Sequence, residues 1–140
     1  MRGFAAGRPR RASRKTKTVD AQARVSASVS GYYQSERAGS TTYRVYHHTA
    51  KQKVDVTVAP NKHGECVQLV VQRYSGGTWR AYTTTGCTGL DSSSEASPTL
   101  TLTTYPQNTK YRVRVDYVRS SKDTTNLSTD GGWMYFIVVK

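Results

Sequence analysis

The chain has 140 residues, with 21 Lys and Arg against 9 Asp and Glu, for a formal charge of +12; that length leaves room for one domain. Fifteen Val, 19 Thr and 10 Tyr stand against 5 Leu and 1 Ile, and this surplus of β-branched and aromatic residues over helix formers excludes helical bundles and doubly wound α/β folds. The longest apolar run, Trp133–Val139, has seven residues where a membrane-spanning helix needs about 20.

Charge is concentrated at the start. Arg2, Arg8, Arg10, Arg11, Arg14, Lys15, Lys17 and Arg24 fall in the first 24 residues, with Asp20 the only acid. Gly, Pro, Ser and Arg mix there without apolar periodicity, so residues 1–24 are expected to form a disordered basic arm. Phe4-Ala5-Ala6-Gly7 is cut short by Arg8 and does not amount to the apolar stretch of a signal peptide, so no export signal is recognised. A mobile Lys/Arg arm suits two tasks. It can neutralise phosphates with release of counterions, or it can order on an acidic groove of a protein.

From residue 25 the letters alternate. Val25, Ala27 and Val29 oppose Ser26, Ser28 and Ser30 in a first half-buried strand ending at Gly31. Residues 42–48 read as a second strand, and 53–58, with Val54, Val56 and Val58 facing inward, as a third that Pro60 stops. Residues 65–73 and 79–85 flank Gly76-Gly77, the pair a two-residue hairpin turn favours because both central positions take positive φ. Leu100 and Leu102 alternate with threonines in a further strand. Tyr111, Val113, Val115 and Tyr117 alternate with Arg112, Arg114 and Asp116, and Trp133–Val139 is apolar on both faces, hence central or covered.

Counting outward from the Gly76-Gly77 turn places Cys66 opposite Cys87 at a non-hydrogen-bonded pair, where Cα atoms lie about 4.5 Å apart, close enough for a disulfide. Two unrelated buried thiols, or a zinc site with His63 that lacks a fourth ligand, are the alternatives. A disulfide would place the protein in an oxidising compartment.

The run V-x-L-x-x-Q-R-Y-S-G-G-T-W from Val67 to Trp79, Y-R-V-R-V at Tyr111–Val115 and W-M-Y-F-I-V-V at the end resemble the small immunoglobulin-like β-sandwich modules of secreted actinobacterial proteins, over about residues 52–140. The resemblance implies a hairpin strand, a core tryptophan at Trp79, and a binding or spacer role without catalytic residues. The expected fold is an all-β, Ig-like antiparallel sandwich of seven to eight strands at residues 25–140.

No catalytic grouping stands out. His47 and His48 are strand neighbours that point to opposite faces, and His63 sits in a turn. There is no G-x-S-x-G elbow, H-E-x-x-H helix or phosphate-cradling glycine loop. Neither a catalytic residue, a metal nor a cofactor is expected. Tyr43, Tyr111 and Tyr117 share parity with core valines. Arg44, Tyr46, Arg80, Arg112 and Arg114 have the opposite parity and predict a basic, aromatic-bearing face of the kind that protein interfaces use. The expected function is a non-enzymatic protein-binding or adaptor subunit of an extracellular multi-protein assembly. It would dock on a larger protein partner through that face and through Arg8, Arg10, Arg11, Arg14, Lys15 and Lys17. The alternative is a virion capsid or decoration protein, which needs no signal peptide, whose arm contacts nucleic acid or a neighbouring subunit.

Overall fold

Polar residues between Val54, Val56 and Val58 produce a strand with one wet and one apolar face, and the computed structural model holds those valines at 0–2% exposure. It describes residues 21–120, 126–127 and 129–140. Among these, no helix occurs and eight strands have five residues or more: β1 Arg24–Ser30, β2 Gln34–Ala38, β3 Thr41–His47, β4 Lys51–Ala59, β5 Cys66–Ser75, β6 Thr78–Thr84, β7 Thr109–Val118 and β8 Met134–Val139.

They form two sheets. In the smaller, β4 pairs with β1 and, on its other edge, with the short strands Glu95–Ala96 and Thr99–Thr101. The larger runs in the order β2-β3-β8-β7-β5-β6, antiparallel throughout except where β8 lies parallel to β3. Val67, Leu69, Val71, Val113, Val115, Phe136 and Val138 face the valines of β4, all at 2% exposure or less. Each such side chain contributes about 1.5–3 kcal/mol by leaving water. The terminal apolar run is central, as its two-faced pattern predicts, with β3 on one side and β7 on the other.

The fold begins earlier than expected. Ala21–Gln22 pairs with Asn126–Leu127, and Ala23 is buried, so residues 21–24 belong to the domain. The rest of the expected arm lies outside the described residues. Strand β2, whose letters QSERA carry no alternation, was not anticipated. It is exposed at every position and forms because the Gly39 turn, at φ 66°, folds it back onto β3.

Gly76 and Gly77 take φ 61° and 81°, the turn expected between β5 and β6. The register expectation fails beyond it. A bulge separates the pairs Gln72↔Ala81 and Val71↔Thr83, and its extra residue, Tyr82, packs against Tyr105 and Tyr111, with ring centroids at 4.9 and 5.6 Å. Pairing resumes at Thr88–Gly89, where Cys66 faces Gly89 rather than Cys87. Cys87 stands outside any strand, yet its Cα is 5.5 Å from that of Cys66 and the two form a disulfide. The thiols are therefore joined, by a slipped register rather than a direct cross-strand pair.

Candidate functional site

Register carries side chains of one parity to the outer face of the larger sheet, opposite the core. One row across all six strands reads Glu36, Tyr43, Tyr135, Arg112, Gln72, Ala81. Tyr74 pairs directly with Trp79 across the β5–β6 hairpin, and Trp133 lies just ahead of β8. The rings form a contiguous strip: Tyr74 to Trp79 at 5.1 Å, Trp79 to Tyr135 at 5.7 Å and Tyr135 to Tyr43 at 5.6 Å between centroids. Four inter-strand steps, about 19 Å, separate the backbones of β6 and β3, and the rings of Trp79, Tyr135 and Tyr43 bridge the gap by leaning towards one another.

Cations are laid against these rings. The Arg112 guanidinium carbon is 4.7 Å from the Trp79 ring centre and 4.2 Å from that of Trp133, and its Nε donates to Gln72 Oε1 at 2.8 Å. Arg114 also lies against Trp133, at 4.8 Å, and donates through Nε to Asp116 Oδ1 at 2.9 Å. Lys110 Nζ is 5.0 Å from the Tyr43 ring centre. Each such cation–ring contact is worth about 0.5–1 kcal/mol where it is partly exposed. Burial, with the neighbouring Tyr135 and Tyr74 hydroxyls, raises the Tyr43 pKa above its ordinary value.

Beside this face a cleft of about 410 Å³ is lined by Ser28, Tyr32, Thr42, Arg44, Trp133 and Tyr135, among others. Arg44 lies 4.7 Å from the Tyr32 ring centre and donates from Nη1 to Ser35 Oγ at 2.6 Å. At the same edge Tyr33 stacks on His47 at 4.0 Å, and His47 Nδ1 meets the Lys140 carbonyl at 3.0 Å.

The structure thus brings Arg112 and Arg114 together and separates the other expected face residues. Tyr46 is corrected to the core. It is fully buried, with its hydroxyl donating to the Ser30 carbonyl at 3.2 Å and its ring edge-on to Phe136. Tyr43 takes the outer parity instead. Parity misled here because β3 is covered on both sides: Val45 and Tyr46, adjacent in sequence, are 2% and 0% exposed. Arg44 shares Tyr46's parity and emerges at the cleft, while Arg80 pairs with Arg73 on the side of the sheet away from Arg112 and donates through Nε to the Ser75 carbonyl at 3.3 Å. Trp79, expected in the core, belongs to the outer strip. Trp79, Trp133 and Tyr135 are the residues that sequence reasoning missed; the pairing of Tyr74 with Trp79 next to the Gly-Gly turn was the available signal. Arg8, Arg10, Arg11, Arg14, Lys15 and Lys17 lie outside the described residues.

His63 is exposed in its turn, and Cys66 and Cys87 are tied to each other. Among the described residues no three of His, Cys, Asp and Glu gather where they could hold a metal ion. What the outer face offers is area, cation charge and hydrogen-bond donors held in fixed places. Comparison with known proteins finds no family model that matches the chain and no similar curated protein.

Proposed function

We propose that the protein is a non-enzymatic docking module, an immunoglobulin-like sandwich that joins a larger extracellular protein assembly through the outer face of its larger sheet. The observation that carries this reading is the strip Tyr74–Trp79–Tyr135–Tyr43 with Arg112 and Arg114 set against its flank. Tyr, Trp and Arg are the side chains in which interface energy concentrates. The Ig-like assignment is supported by the parallel meeting of the last strand with an early one. It is supported also by Tyr111 near the start of β7, whose hydroxyl donates to the Pro106 carbonyl at 2.6 Å, as in the tyrosine corner of such sandwiches. Extracellular placement is supported by the disulfide.

A second reading, a virion component contacting nucleic acid, draws on the seven cations among residues 1–17. Pull-down from the native source separates the two, with protein and nucleic acid both identified. Docking by the face requires that Trp79→Ala and Tyr135→Ala abolish one specific protein complex while the sandwich stays folded. If those variants change nothing, and a chain with residues 1–20 scrambled at constant charge keeps sequence-indifferent binding to nucleic acid, the second reading replaces the first.

A further inference from the structure

We propose that Arg112 is a carboxylate anchor: its guanidinium fork, held between Trp79 and Trp133, takes a Glu or Asp side chain from an extended acidic segment of the protein that docks on this face. The inference rests on the docking reading above and names the chemistry of its partner. Arg112 Nε is committed to Gln72 Oε1, and the planar group is held against two indoles. Its two terminal nitrogens have no hydrogen-bond partner among the described residues. The nearest acids in the sheet are not available to it. Asp116 is engaged by Arg114, Asp130 stands opposite Asp116, four residues along β7 from Arg112, and Glu36, in the same row, stands three strands away, about 14 Å at the usual strand spacing. The fork is therefore oriented in advance, and the rotamer freedom that an arginine normally loses on binding is already gone. A planar five-donor group in that state matches a carboxylate by two parallel hydrogen bonds.

The same geometry disfavours a nucleic acid here. Bases bind single-strand sites by stacking on open ring faces, and guanidinium groups already lie against both indoles. With Lys110, Arg112 and Arg114 against Asp116 and its cross-strand neighbour Asp130, this part of the face is still net positive, which complements an acidic chain and speeds its encounter.

The test uses the full chain. It is titrated with a peptide alternating Glu and Ser, with the Gln counterpart of that peptide, and with an oligothymidylate of similar length, at about 0.15 M ionic strength. NMR follows the indole N–H of Trp79 and Trp133 and the Nε–H of Arg112. The Glu peptide is expected to move all three resonances and the Gln peptide none. Arg112→Gln should weaken the binding seen at the indoles about tenfold or more, and Arg112→Lys, which keeps the charge but loses the fork, should not restore it. Cations at the N-terminus attract the peptide too, but that component leaves the indoles unmoved and does not respond to Arg112. The proposal is overturned if the Glu peptide leaves the three resonances in place, if oligothymidylate moves them equally well, if Lys restores binding in full, or if self-association alone produces the shifts. Should Arg112→Gln fail to fold, the three resonances of the unmodified protein decide. A native protein complex lost with Trp79→Ala but kept with Arg112→Gln would retain the docking reading and remove the anchor; one kept with both would remove the docking reading itself.

Discussion

Raising the pH should unfold this protein cooperatively, because three tyrosine hydroxyls in its core resist ionisation. Tyr46, Tyr105 and Tyr111 cluster around Phe136, with centroid separations of 5.9, 6.5 and 5.2 Å from that ring. Burial, the largest cause for each, pushes Tyr46 and Tyr111 up to about 12 and Tyr105 further, with the neighbouring Tyr82 raising both Tyr105 and Tyr111. In the unfolded chain each hydroxyl ionises near pH 10. Between about pH 10 and 12 the native state thus holds more protons than the unfolded one. The stabilisation is complete below pH 10 and is lost as pH rises, at about 1.4 kcal/mol per pH unit for each tyrosine. Tyr46 and Tyr111 alone remove about 5 kcal/mol by pH 12, as much as the whole stability of a marginal domain. A single alkaline titration followed by tyrosinate absorbance and near-UV circular dichroism should show the buried hydroxyls ionising together as tertiary signal disappears. Tyr105→Phe removes one of these ionisations and breaks no hydroxyl hydrogen bond among the described residues, so it should leave neutral stability nearly unchanged and raise the alkaline midpoint. Ionisation of all ten tyrosines in a smooth wave, with the fold intact at pH 12, would refute the reasoning.

Reducing the disulfide, or replacing both cysteines by serine, should lower stability by about 3 kcal/mol, the entropy cost of a closed loop of this length, read as a shift in urea midpoint. Gly31→Ala should cost about 2–3 kcal/mol, because Gly31 sits at φ 95° and an added Cβ would collide with the Lys51 carbonyl oxygen; thermal melts check it. Tyr111→Phe should destabilise by about 1–2 kcal/mol through loss of the bond to the Pro106 carbonyl, and an unchanged urea midpoint would show that the corner contributes nothing.

Strands with one wet face were legible letter by letter. In β4 from Lys53 to Val58 and in β7 from Tyr111 to Tyr117 valine or tyrosine alternates with charge or hydroxyl, and period and burial coincide. The reading failed where a strand has two dry faces. In β3 the sequence Tyr43-Arg44-Val45-Tyr46 offers two apolar parities, and the choice between them depends on which neighbour covers which side, a property of sheet order rather than of β3's own letters. The cysteine pairing was legible for a related reason and misread in detail. A hairpin turn fixes register only until the first bulge, and the Tyr82 bulge is stabilised by rings of Tyr105 and Tyr111, some 20 or more residues further along the chain. Arg112 and Arg114 were found by local alternation. Their indole neighbours come from β6 and from the residue just ahead of β8, so the stack that makes them a site becomes visible only once β5, β6, β7 and β8 are laid side by side.

That assembly also links the disulfide to the face. Among the described residues strand β6 is an edge, paired with β5 alone, and an edge strand held on one side is the first part of a sheet to fray. Trp79 is carried on it. The Gly76-Gly77 turn closes one end of the hairpin, and Cys66–Cys87 closes the chain beyond its other end, so the strand bearing Trp79 is restrained from both directions. The fold itself does not require a guanidinium at position 112, since each of its ring contacts is worth about 0.5–1 kcal/mol and an apolar side chain would cover the indoles too. An arginine stacked between two tryptophans, one of them on a strand so restrained, with its terminal nitrogens unpaired among the described residues, is better accounted for by what it meets outside the chain than by what it holds within it.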